Sequence, residues 1–413
     1  MTINFSEDEV HTYLYQQGME ALTVDFPNLK QDLKPDDEFE LWKLIKQKAI
    51  SKLSRIHDSV RYGEFIATKL KLPTDKTTPM ELDLLGTHED GLFVLELKVN
   101  RAAERNAFSE LFAYSNYISG MFPGSGKKDI TNILVANLDA KITQQAFLYD
   151  LIITDRDIIV YKLEFSDESL NTLSLTPHVP SDEVFKQFTN DLLSHESMSC
   201  IVASFDDMHG WFDNNEDGGS LNSWTKKHLE QLSNYTAQLM EAEGLHGFVY
   251  MRKPWKEIPW SNKSSLIICA LNPFKMPSEE RGKLILEQIN NGDHIMALFE
   301  NSASGFLGRL IRIAQKAVKD SFTHDHDCYV ELPLWEYMVT SFVETAATHN
   351  FAFRPTGLLR EAYVAHLDNI YLNNLLDTEY QEDVSMLKIN EINNWFRAWE
   401  FMTACGFRNE EDA

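Results

Sequence analysis

Apolar positions near the start of the chain recur at helical spacing. Ser6 and Glu9 stand three apart before "VHTYLYQQGMEAL", the pattern of a capping box, so a helix is expected there. A second helix is expected to begin near Pro35 and Asp36, because Leu41, Ile45, Ala49 and Leu53 share one face. "SVRYGEFIATKLKL" reads as a continuation or repeat of that helix up to Pro73. Past the polar loop "PTDKTTP" the pattern changes. "MELDLLG" and "GLFVLELKV" are strand-like runs on either side of "THEDG", whose Asp-Gly favours a tight turn. Next come a helix over "RAAERNAFSELFAYSNYISG", a strand in "DITNILVANL", a short helix in "KITQQAFLYD" and a pair of strands in "LIITDRDIIVYKLE". This order predicts a mixed α/β sheet with helices on it.

Residues 166–183, "SDESLNTLSLTPHVPSDE", are rich in Ser, Pro and Asp and read as a linker. Beyond it, "HGFVYMRK", "SLIICAL" and "HIMALFE" read as strands and "PSEERGKLILEQI" as a helix. Long helices follow from "LPLWEYMVTSFVETAATH" onward. The expected organisation is an N-terminal helical segment (1–45), a sheet domain (46–165), the linker (166–183) and a helix-rich α/β accessory domain (184–413).

The hairpin carries charge where its neighbours are apolar. In "LFVLELKV", Phe93, Leu95, Leu97 and Val99 share one face, and Glu96 and Lys98 the other. A tight turn at residues 88–91 pairs residues whose numbers sum to an odd value. Asp83 then faces Glu96 or Lys98 on the same side of the sheet. Two carboxylates so close repel unless a cation lies between them. Two carboxylates, a backbone carbonyl (that of Leu97 is the natural one) and water form an all-oxygen site suited to Mg²⁺ or Mn²⁺. Lys98 is placed to polarise a water or neutralise a phosphate, the equipment for phosphodiester hydrolysis.

Asp83, twelve residues, then Glu96-Leu97-Lys98 resembles the PD-(D/E)xK nuclease superfamily, over about residues 50–165. The resemblance implies a restriction-endonuclease-like mixed sheet flanked by helices, and metal-dependent cleavage of nucleic acid, DNA before RNA. It implies that Asp83 and Glu96 bind metal and that Lys98 acts on the water or the leaving phosphate. Relatives often carry a supporting glutamate on the helix before the hairpin, and Glu64 takes that place here. Many also carry a Gln shortly before a Tyr on the next helix, where this chain has Glu110 and Tyr114. Pro79 does not abut Asp83. Free-standing nucleases with a large accessory domain are common in bacterial defence against mobile DNA, an analogy from fold alone.

Composition narrows the alternatives. The net charge is −25, yet residues 51–150 carry 12 Lys and Arg against 13 Asp and Glu, so the motif lies in a nearly neutral segment of an acidic chain. Such a chain should not coat nucleic acid non-specifically. An acidic C-terminal half suits a basic protein partner or a second copy of the chain. One alternative is therefore an interaction protein. Another is a nuclease fold that binds nucleic acid without cutting it. No apolar run approaches the ~20 residues of a membrane span. No secretory signal is expected from "MTINFSEDEV", and four dispersed cysteines fit a cytoplasmic setting.

Other motifs are weaker. "MFPGSGKKD" lacks the spacing of a phosphate loop, although Lys127 and Lys128 remain candidates for phosphate contact. "DNNEDGG" (213–219) matches half of a calcium loop but has Trp224 where Glu is required. His324, His326 and Cys328 alternate without a partner cluster. In "ENSASGFLGRLIRIAQKAVKD" a small-residue loop is expected to open a helix, with Arg309, Arg312, Lys316 and Lys319 as a basic stripe for nucleic acid.

Overall fold

The computed structural model describes residues 5–29, 40–73, 80–122, 124–126, 128–192, 195–205, 223–253, 263–275, 292–322, 328–344, 349–376, 398 and 401–402. The chain divides into two compact units, Met1–Leu33 with Ile45–Phe185, and Lys34–Leu44 with Lys186–Ala413. Of the expected N-terminal segment, Met1–Leu33 falls in the first unit and Lys34–Leu44 in the second.

In the first unit, helix α1 (Glu7–Leu22) starts at the expected capping box. The Ser6 amide donates to Glu9 at 2.8 Å and the Glu9 amide to Ser6 Oγ at 3.3 Å. Helix α2 (Leu41–Arg61) buries Ile45, Ala49, Leu53, Ile56 and Val60 along one face. It does not continue to Pro73. A Cβ on Gly63 would lie 2.7 Å from the Thr87 carbonyl, so only glycine fits as the chain turns into strand β1 (Glu64–Leu72). The in-out alternation of residues 64–67 is that of a strand.

Strands β2 (Met80–His88) and β3 (Gly91–Leu97) form the expected hairpin. Gly86 sits opposite Phe93, and any Cβ there would fall 2.1 Å from the Phe93 ring. Helices α3 (Arg101–Glu104) and α4 (Ala107–Ser119) lead to β4 (Ile130–Val135), and α5 (Lys141–Ile152) to β5 (Ile158–Phe165). Leu151 and Ile152 therefore end a helix rather than form a strand. Together with Phe147 and Leu148 they are buried at i, i+1, i+4 and i+5, a helical stripe.

The expected linker is also corrected. It contributes strand β6 (Leu173–Pro177), which pairs antiparallel with β5 and buries Leu173 and Leu175, before α6 (Asp182–Leu192) begins. The sheet order is β1-β2-β3-β4-β5-β6, with β3, β4 and β5 mutually parallel and the other pairs antiparallel. Both parallel crossovers step in the same direction, so their usual right-handedness places α4 and α5 on one face. His57 of α2 meets the Tyr161 hydroxyl at 3.1 Å on the other face.

The second unit is an antiparallel sheet in the order β10-β7-β9-β8-β11. Its strands are β7 (Met198–Phe205), β8 (Gly247–Arg252), β9 (Ser264–Leu271), β10 (Cys328–Glu331) and β11 (Asn350–Thr356). Helix α7 (Ser223–Ala242) supplies Leu229, Leu232 and Met240 to one face, and α8 (Gly292–Ser321) supplies Phe306, Leu310 and Ala314. Short helix α9 (Trp335–Glu344) precedes β11, and α10 (Gly357–Leu376) follows it. Tyr363 of α10 meets Phe353 edge-on at 5.4 Å, which in turn contacts Phe248 at 5.4 Å on the opposite face. "HIMALFE" is the start of α8, not a strand, and the Ser- and Gly-containing stretch lies inside the helix. Phe306, Leu310, Ile313, Ala314 and Ala317 are buried at helical spacing, and that burial outweighs the glycines. The expected helix at 277–289, the half calcium loop, His324 and His326 lie outside the described residues. No described helix is long and apolar enough to cross a membrane.

Candidate functional site

Register gathers the hairpin charges. The β2–β3 ladder pairs Leu84 with Leu95, Gly86 with Phe93 and His88 with Gly91, all on the odd sum that parity required. One step further along, Asp83 stands across from Glu96. The Leu97 amide donates to Asp83 Oδ2 at 2.9 Å, fixing that carboxylate against the motif strand. Lys98 Nζ lies 2.6 Å from Glu96 Oε1 and 2.9 Å from Glu110 Oε2 of α4. Helix α4 therefore covers the face that bears Glu96, and Glu110 and Tyr114, one turn apart, line it.

The site is desolvated. Glu96 is 2% exposed, and its Oε2 is buried without a hydrogen-bond partner. Burial, and then the Asp83 charge, push the Glu96 carboxyl up to about 9, against the opposing pull of Lys98. Asp83 is raised in the same way, by burial first, although the Leu97 amide and Lys98 oppose the shift. Burial works against the Lys98 ammonium, but Glu96 and Glu110 outweigh it and hold its pKa above the ordinary lysine value. The Tyr114 phenol is pushed up to about 12 by burial and the surrounding carboxylates.

Two contributors escaped the sequence reading, and both come from α1. Glu7 feels Lys98, Asp83 and Glu110, and its carboxylate accepts from the Val99 amide; burial raises its pKa. One turn later, His11 Nε2 donates to the backbone carbonyl of Asp83 at 3.1 Å and lies 3.3 Å from Thr68 Oγ1. Their i, i+4 spacing on a capped helix was legible. Their aim at a hairpin some 70 residues later was not.

Glu64 is not brought to the site. It opens β1 opposite Thr87, is exposed, and lies four β2 positions from the residue facing Glu96. The helix on which it was expected ends before it. Leu97 follows Glu96 at the end of β3, and its amide donates to Asp83. Lys128 pairs with Asp155 at 3.1 Å, at the opposite end of the parallel strands. Lys127 lies outside the described residues. On α8, Arg309 is held by Glu243 at 2.7 Å and Lys316 by Asp320 at 2.6 Å, and Arg312 is exposed. No loop precedes this stripe, so the expected anion-holding amides are engaged within the helix.

Among the described residues, no group of three or more His, Cys, Asp or Glu side chains is disposed to hold a metal ion. The donors at hand are hard oxygens, one of them the orphaned Glu96 Oε2 beside a second desolvated carboxylate. That pair fits Mg²⁺ or Mn²⁺ when backbone carbonyl and water complete the shell. Comparison with family models, with curated proteins and with solved structures gives no significant match for this chain.

Proposed function

We propose that this chain is a metal-dependent nuclease of PD-(D/E)xK type that hydrolyses phosphodiester bonds in DNA. The observation that carries the reading is the convergence of Asp83, Glu96 and Lys98 at one desolvated point, with one carboxylate oxygen of Glu96 unsatisfied. The sheet supports it too: an antiparallel hairpin, then a helical crossover to a parallel strand, is the order a restriction-endonuclease-like fold requires.

In this reading Asp83 and Glu96 hold the metal, which when bound supplies a Lewis acid and an acidified water. The Leu97 amide keeps Asp83 in one orientation, and His11 fixes the backbone beneath it. Lys98 keeps its proton and presents a positive charge to the scissile phosphate. Glu110 gives that ammonium a second carboxylate anchor. Closure of α4 over the motif strand keeps bulk water from screening these charges.

Labelled DNA incubated with Mg²⁺ or Mn²⁺ tests the proposal. Wild type should cleave, and Asp83→Asn and Lys98→Ala should each lower the rate by roughly 10²–10⁴-fold. Equal cleavage by wild type and both variants, as from a contaminant, would sink it. A second reading rests on the double pairing of Lys98 with Glu96 and Glu110, which occupies two of its three N–H donors: a nuclease fold that binds nucleic acid without cutting. Metal-independent binding with no turnover would favour that reading.

A further inference from the structure

The cations of the first unit are sorted between the two ends of its parallel strands. At the N-terminal ends of β4 and β5 they are ion-paired. Lys48, Lys52 and Lys128 all lie within ion-pair distance of Asp155, at 3.6, 3.0 and 3.1 Å, and Arg55 pairs with Asp157 at 2.7 Å. The C-terminal ends, where Glu96 and Lys98 lie, are different. Arg101 and Arg105 are exposed one turn apart on and just after α3, directly behind the motif strand. Lys141 is exposed at the first turn of α5. Among the described residues, none of the three has an ion pair or a side-chain hydrogen bond.

These three belong to one surface because of Glu104. That side chain is 2% exposed, and its carboxylate accepts from the Asp139 amide at 3.0 Å and the Ala140 amide at 3.1 Å. The start of α5 is thereby clamped to α3, so Lys141, next in the chain to Ala140, lies at the same end of the sheet as Arg101 and Arg105. In a chain of net charge −25, exposed cations have ample carboxylates to pair with. Three left open at the ligand-binding end of a parallel sheet suit an external polyanion.

We infer that Arg101, Arg105 and Lys141 form a phosphate track that holds the DNA backbone as it crosses the Asp83–Glu96–Lys98 site. This rests on the nuclease reading. Arginine suits the role because its planar fork bonds two phosphate oxygens at once. Backbone contacts of this kind position the substrate without reading its sequence.

The test is fluorescence anisotropy with a labelled DNA oligonucleotide in EDTA, using the full chain over a range of NaCl concentrations, with Mg²⁺-dependent cleavage measured in parallel. Duplex binding by wild type should weaken steeply with salt. The triple variant Arg101→Ala, Arg105→Ala, Lys141→Ala should lower the log–log salt slope by roughly 3 and affinity at 0.1 M salt by at least about tenfold. Arg101→Lys with Arg105→Lys should keep most of the slope. Lys48→Ala with Lys128→Ala, at the ion-paired end, should leave it unchanged. If wild type binds and cleaves DNA but the triple variant keeps the full slope, the track is wrong and the nuclease reading stands. If wild type neither binds nor cleaves DNA, both fall. Preference for RNA with the same three-residue dependence overturns the choice of DNA.

Discussion

The central strands of the two sheets are buried alike and built from opposite chemistry. In the second unit, β9 lies between β7 and β8 and is apolar from Leu266 to Leu271. Its buried Ser265 hydroxyl meets that of Ser204 at 2.9 Å across the ladder. In the first unit, β3 lies between β2 and β4 and ends in Glu96, equally buried but with an oxygen nothing satisfies. Depth alone does not distinguish the two, as Glu104 makes plain. It is also 2% exposed, yet two backbone amides meet its carboxylate. A buried polar group that completes its bonds holds the fold together. One left incomplete beside a like charge is held in place by the rest of the fold, and such places are where function concentrates.

The comparison can be broken most directly by giving the second sheet what the first tolerates. Ile268 is 0% exposed in the middle of β9, within an apolar cluster that includes Leu229, Leu232 and Leu310. Ile268→Glu should destabilise the second unit by about 4 kcal/mol or more, read as loss of its cooperative unfolding transition. A variant with wild-type unfolding would mean that the apolar sheet tolerates charge as well as the first.

Removing the satisfied carboxylate should have a smaller effect. Glu104→Ala leaves the Asp139 and Ala140 amides without acceptors and should destabilise by roughly 2–3 kcal/mol in chemical denaturation. Glu104→Gln, which restores one acceptor, should recover part of the loss.

Glu96→Gln should have the smallest effect and the opposite sign. The folded pKa of about 9 lies above the ordinary glutamate value of 4.5, so folding favours the protonated form. The stability Glu96 contributes is complete below about pH 4.5 and is lost as pH rises toward 9. The neutral amide escapes that loss, so Glu96→Gln should raise Tm without metal by a few degrees at pH 8, at roughly 2–4 °C per kcal/mol, and little at pH 5. It should also lose metal-dependent cleavage. An equal gain at both pH values would show that the Glu96 charge is not what strains the site.

What could be read before the fold was known was local. The capping box at Ser6 and Glu9, the Asp-Gly turn and the period-two alternation of "LFVLELKV" each depend on residues within a few positions of one another. Together they suffice to place Asp83, Glu96 and Lys98 on one face. Local pattern failed where long-range contact outweighed propensity. "EFIATKLKL" is a strand because β2 is there to pair with it, and "HIMALFE" is helical because α8 packs along the second sheet. The supposed linker contains the edge strand β6 because β5 leaves an open row of amides and carbonyls beside it. The tertiary structure alone brought Glu7 and His11 from α1 to the hairpin and left Glu64 away from it. It also set ion-paired cations at one end of the parallel strands and unpaired ones at the other. Parity along a strand is a property of the backbone and travels with the sequence. Which distant helix lands beside a strand depends on how all the elements pack, and no short stretch of residues encodes that.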